Sequence, residues 1–197
     1  MTNDDLKNIV KDVIREIIAK EATPQSVQSP VQHDTTDYSV PQNQKDCVKR
    51  VAIGSDHTTV KEKNILVRYL ETLGYLVTDI GPSSTDRVDY PDFAVAVAKK
   101  VQSGSCERGI MLDGVGIGSC MACNKVRGIR AALCYDLRTV INSREHNNAN
   151  VLTLGGPLHS GAELCEMTKL WLETRFGGAR HWSRINKMMS IEREERK

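Results

Sequence analysis

The sequence has almost no excess charge, no long apolar run and no second cysteine pair to accompany its one CxxC. Lys and Arg number 27 against 25 Asp and Glu, a net charge of +2. That balance excludes the concentrated basic charge of a typical nucleic-acid-binding protein. No apolar stretch approaches the ~20 residues needed to span a bilayer. The N-terminus, Met1-Thr2-Asn3-Asp4-Asp5, is acidic with no continuous apolar stretch behind it. The expectation is therefore no secretory signal and a cytoplasmic protein. Six cysteines are scattered through the 197 residues, which excludes a disulfide scaffold and fits a reducing compartment. Cys120-Met121-Ala122-Cys123 lacks the second pair of a structural zinc site and reads as two buried thiols on a helix. What is present is 40% hydrophobic residues, enough for one core-forming domain plus an appendage.

The most informative segment runs from Gly109 to Ser119, Gly-Ile-Met-Leu-Asp-Gly-Val-Gly-Ile-Gly-Ser. A short apolar run ends in Asp113, and Gly114, Gly116 and Gly118 follow at alternate positions. A buried parallel strand feeding a glycine-rich turn has this form. Glycines let backbone N–H groups approach an anionic oxygen closely. A carboxylate at the mouth of such a turn is a candidate base, so the pair points to chemistry on a small anionic substrate.

Residues 1–21 form a separate unit. Leu6, Ile9, Val10, Val13, Ile14, Ile17 and Ile18 make one apolar stripe at helical spacing. The opposite face mixes charges, and the stripe lacks aromatic anchors, which weakens a membrane-surface reading. Residues 22–46 are polar and punctuated by Pro24, Pro30 and Pro41, as in a flexible linker. A short helix on a linker must bury its stripe to be stable, on its own domain, on a sister subunit or on another protein. The arrangement resembles the encapsulation peptides that direct enzymes into bacterial microcompartments. It implies shell or cargo proteins as partners of residues 1–21 and a place inside such a compartment, with self-association as the rival.

From residue 47 onward strand and helix alternate. Strands are expected at Val51–Gly54, Tyr75–Ile80, Ile110–Leu112, Ile129–Cys134 and Val151–Leu154, with helices over 58–73, 91–103, 117–126, 136–146, 161–175 and 180–195. This is an α/β pattern, a three-layer doubly wound, five-stranded parallel sheet covered on both faces. Ligands of such sheets bind beyond the carboxyl ends of the strands. Ser55-Asp56-His57, Asp113 with its glycines, Arg144-Glu145-His146-Asn147 and Arg180-His181-Trp182-Ser183-Arg184 are the polar segments expected there. Arg180 and Arg184, spaced i, i+4, can face one way from a helix and suit a phosphate.

These segments carry a specific resemblance. Gly54-Ser55-Asp56-His57, Asp89-Tyr90-Pro91, Gly114-Val115-Gly116-Ile117-Gly118, Asn124-Lys125-Val126-Arg127-Gly128-Ile129-Arg130-Ala131-Ala132, Arg144-Glu145-His146-Asn147 and Gly177-Gly178-Ala179-Arg180-His181 occur in the order of the ribose-5-phosphate isomerase B family, which includes galactose-6-phosphate isomerases. The resemblance implies a Rossmann- or flavodoxin-like sheet and a homodimer, able to pair into a tetramer, with active sites at the subunit interface. It implies aldose–ketose isomerisation of a phosphorylated sugar without metal or organic cofactor. In the family's terms the Gly114 to Gly118 turn supplies the anion hole, with Asn147 assisting, and His146 helps open the sugar ring. Asp56 binds hydroxyls or shuttles a proton. His57, Arg180 and Arg184 hold the phosphate, and Tyr90 and His181 join the binding set.

Three positions depart from the family pattern. Asp113 stands where many members have a cysteine base, Val115 where a hydroxyl residue is usual, and Pro157 where an arginine is common. An aspartate is ionised at neutral pH without the activation a thiol needs, and a carboxylate base does the analogous work in triosephosphate isomerase. Asp113 is therefore expected as the base for ribose 5-phosphate. The alternatives are an isomerase of another phosphosugar, such as a hexose 6-phosphate, or a non-catalytic sugar-phosphate-binding assembly component.

Overall fold

The computed structural model describes residues 48–178 and 180–195, with Asn8, Lys11, Asp12 and Arg15. The expected helix over 1–21, those four helical residues apart, and the expected linker over 22–46 lie outside the described residues. The chain then runs through β1 (Arg50–Ser55), α1 (Val60–Thr72), β2 (Leu76–Gly81), α2 (Tyr90–Gln102), β3 (Arg108–Asp113), α3 (Ile117–Cys123) and β4 (Ala131–Leu133). It continues through α4 (Leu137–Glu145), β5 (Val151–Gly155), a 3-10 turn (Gly156–Leu158), α5 (Gly161–Glu173) and α6 (Arg180–Glu195).

The five strands form one parallel sheet in the order β2-β1-β3-β5-β4. The expected α/β layering is present, but β5 lies between β3 and β4, where the flavodoxin order 2-1-3-4-5 would put β4. Apolar periodicity carries no information on that exchange. Alternate strand residues feed opposite faces. Val51, Ile53, Ile110 and Leu112 pack with Leu66 and Leu70 of α1 and Trp171 of α5. Ala52 and Met111 pack with Ala94, Val97 and Ala98 of α2. Burial on both faces explains why the central strands read as continuous apolar runs.

The expected strand over 129–134 shortens to three residues because it is an edge. There the Asn124 carboxamide accepts from the Ala131 N–H at 2.9 Å and donates to its carbonyl at 3.0 Å, imitating a neighbouring strand and blunting the edge. Capping boxes at Asp136 and Ser160 start α4 and α5. Both helices thus begin at the carboxyl edge of the sheet and end at its amino edge.

Candidate active site

Adjacent strands β1 and β3 diverge in their connections, so the crevice beyond their carboxyl ends is the topological switch point. Ser55 pairs with Leu112, and the Asp56 N–H donates to the Leu112 carbonyl at 3.0 Å. This sets Asp56 beside Asp113. Asp56 Oδ1 accepts from the Thr58 N–H (2.9 Å), the Thr58 hydroxyl (2.7 Å) and the Thr59 hydroxyl (3.0 Å). Among the described residues its Oδ2 accepts no hydrogen bond, and it is not an enclosed atom. His57 Nδ1 accepts from the Val88 N–H at 3.3 Å, which places the proton of the neutral ring on Nε2.

The Asp113 carboxylate, 5% exposed, turns back under its own loop. Oδ1 accepts from the Val115 N–H at 2.9 Å and also from the Gly116 N–H, and Oδ2 accepts from the Ser119 N–H at 3.0 Å. Two expectations bear on this geometry. Asp113, expected as the base, has both oxygens engaged by backbone donors and so is tied to its own turn. The turn does not offer these three N–H groups as an anion hole, because the anion they hold is Asp113. Gly116 adopts φ +80°, and a Cβ there would strike the Leu133 side chain and come within 3.0 Å of the Leu154 carbonyl carbon. Only glycine lets the turn lie this close over β5. Gly118 lies beneath Tyr90, whose ring would be 2.6 Å from an added Cβ. That close approach packs the Tyr90 ring on the first turn of α3, next to the glycine turn. Around Gly114 the space is open, and Val115 is 46% exposed.

The second group of expected site residues lies elsewhere. His146 and Asn147 follow the end of α4, at the amino edge. In that loop the Asn150 carbonyl accepts from the Gly109 N–H at the start of β3, and the Asn150 N–H donates to Arg130 just before β4. The five residues of β5, at about 3.3 Å each, hold the two edges roughly 15 Å apart. His146 stacks on His181 of α6 with ring centroids 4.3 Å apart and planes at 12°. Burial, then His146, Arg180 and Arg184, push the His181 imidazole below its ordinary value, against the opposing pull of Glu145. Arg180 and Arg184 are exposed one turn apart beside this stack, an arrangement fit for a phosphate group. The reading that put all three histidine segments beside the same strand ends is therefore corrected. His57 is at the carboxyl edge, and His146 and His181 are at the amino edge.

One positioning residue, Asn142, escaped sequence reasoning, and a second, Arg144, was expected among the ligand-facing polar groups but lies buried under its loop. Asn142 touches His146 Nδ1 at 2.8 Å and accepts from Asn147 Nδ2 at 3.2 Å; its i, i+4 spacing to His146 was the available signal. Arg144, 1% exposed, donates to the Ala149 carbonyl at 2.6 Å, Asn148 Oδ1 at 2.8 Å and the Thr174 carbonyl at 3.3 Å, and lies over Trp171. It fixes the loop that carries His146. The Cys120 and Cys123 thiols donate to backbone carbonyls at 3.4 and 3.3 Å, and burial pushes Cys123 up to about 12. Among the described residues no group of three or more His, Cys, Asp or Glu could hold a metal ion.

A parallel α/β sheet with polar side chains and a glycine turn at its switch point defines the class as a doubly wound α/β protein with its ligand crevice beyond the carboxyl ends of the strands. Comparison with known proteins then gives the family. Residues 51–188 match the Ribose/Galactose Isomerase family. The chain is 38% identical over 146 residues to ribose-5-phosphate isomerase B of Escherichia coli, 74% of this chain and 97% of that one. It is also 38% identical to D-erythrulose-4-phosphate isomerase of Pectobacterium atrosepticum, again over 74% of this chain and 97% of that one. The solved structure of ribose-5-phosphate isomerase B from Mycoplasma genitalium with bound ribulose-5-phosphate superposes with a TM-score of 0.71 at 40% identity, covering 74% of this chain and 97% of that one. The chain belongs to the ribose/galactose isomerase family, and its reaction class is the aldose–ketose isomerisation of a phosphosugar.

Proposed function

We propose that the chain interconverts ribose 5-phosphate and ribulose 5-phosphate through an enediolate, in a site completed by a second copy of itself. The observation that carries this reading is the meeting of Asp56, His57, Tyr90 and the glycine turn at the switch point, in a chain 38% identical over 74% of its length to a ribose-5-phosphate isomerase B. The phosphate-binding arginines and His146, about 15 Å away in the same chain, must come from a partner to act on the same sugar. A groove of about 930 Å³ between β4, α4 and α6, lined in part by Met188, Met189 and Ile191, offers a surface for that copy. His146 then assists ring opening, Asn147 and Gly114 face the sugar oxygens, and Arg180 and Arg184 clamp the phosphate.

A different phosphosugar is the second reading. Val115 is an apolar side chain facing outward at the crevice, and the Pectobacterium relative is named for a four-carbon sugar phosphate. NMR assay of tetrose, pentose and hexose phosphates separates the two. Turnover led by ribose 5-phosphate supports the first, and turnover led by another sugar replaces it.

Residues 1–21 are proposed as a docking helix for microcompartment proteins, tethered by 22–46. The support is the amphipathic stripe followed by a proline-punctuated polar stretch. Deleting 1–45 should leave the melting temperature and oligomeric state unchanged while abolishing co-localisation with a compartment shell. Dissociation of the truncated protein would instead make the helix part of the core assembly.

A further inference from the structure

The two carboxylates that flank the crevice are bonded in opposite ways. Asp113 uses both oxygens on the backbone N–H groups of Val115, Gly116 and Ser119. Asp56 uses Oδ1 alone, for Thr58 and Thr59, and among the described residues its Oδ2 is unbonded and not enclosed. A base must have a free lone pair within reach of the proton it takes. Of the four oxygens of these two groups, Oδ2 of Asp56 is the one that accepts no hydrogen bond among the described residues. It is held rigidly because three hydrogen bonds fix the other oxygen of the same group.

We infer that Asp56 carries the carbon-bound proton in this chain, and that Asp113 is a positioning residue that winds the glycine turn. This deepens the isomerase reading and rests on it. In the aldose direction Asp56 Oδ2 takes the proton from C2, and the C–H electron pair becomes the C1=C2 double bond. The C1 carbonyl pair moves onto O1. Asp56 returns its proton to C1, the O2 proton passes to O1, and C2 becomes the carbonyl, so atoms and electrons balance. The ketose direction is the reverse.

The same geometry supplies a clean test. Asp56→Asn keeps the Oδ1 acceptor and all three of its donors, and changes only the free oxygen. Asp113→Asn instead puts an N–H₂ group against backbone N–H donors and must disturb the turn. Ribulose 5-phosphate has no free 5-hydroxyl with which to close a furanose ring, so exchange of its C1 hydrogen in D₂O reads carbon-proton removal without ring opening. The expected result is that Asp56→Asn exchanges at least about a hundredfold more slowly with KM and melting temperature little changed. Asp113→Asn, with Asp113→Ser as a second variant, melts lower and keeps exchange within tenfold of the parent. Exchange within tenfold of the parent in Asp56→Asn overturns the assignment. So does abolished exchange in a folded Asp113 variant. A parent that works only on another sugar of the panel overturns the substrate reading alone, and the comparison is repeated on that ketose. A parent inactive on the whole panel overturns both.

Discussion

The two edges of the sheet hold their polar side chains by different means. At the carboxyl edge, backbone dictates position. Strand register puts Asp56 beside Leu112, glycine contacts press the turn onto β5 and Tyr90 onto the turn, and Asp113 is tied to three amides. At the amino edge, side chains hold one another. His146 stacks on His181, Asn142 joins His146 to Asn147, and Arg144 braces the loop from below. The first edge is rigid and suited to placing a reacting carbon. The second is cationic and suited to gripping a phosphate. Neither is a complete isomerase site, so the division of labour itself argues for two copies.

Breaking the rigid edge has the largest expected effect. Gly116→Ala combines left-handed strain with a clash against Leu133. About 3 kcal/mol of stability should be lost, a fall of roughly 6–12 °C in melting temperature. Breaking the cationic edge is milder. Arg180→Gln removes a charge-assisted contact worth about 1.5–3 kcal/mol, so KM should rise about 10–100-fold in steady-state assays while the melting temperature holds.

The smallest effect concerns His181. Its folded-state affinity for protons is depressed by burial and by His146. As pH falls below about 6.5, the ordinary histidine value, the unfolded chain takes a proton that the folded chain refuses. Stability contributed by neutral His181 is therefore present above that pH and lost on acidification towards the depressed value. A plot of melting temperature against pH between 7 and 5 should be shallower in His181→Asn than in the parent.

The five strands and the six helices from Val60 onward were legible because each carries an apolar run or stripe that burial enforces. Asp56 and the turn were legible because carboxyl ends of parallel strands form crevices. What stayed hidden depends on relations that no local pattern encodes. The exchange of β4 and β5 is a choice of neighbours. The inward turn of Asp113 arises because the amides of Gly116 and Ser119, both buried, need an acceptor, and a sequence cannot say which anion fills it. The separation of His146 from Asp56 follows from the direction of α4, whose end, not its start, carries the histidine. Reading that segment as a strand end merged two edges into one.

Subunit complementation tests the two-copy site most directly. Asp56→Asn disables the carboxyl edge, and a His146→Ala, Arg180→Gln double variant disables the amino edge. Co-refolded in equal amounts, half of the dimers should be mixed, and each mixed dimer should contain one intact site of its two. Activity should return to about a quarter of the parent's. A mixture that forms mixed dimers yet stays as inactive as its components would contradict the account.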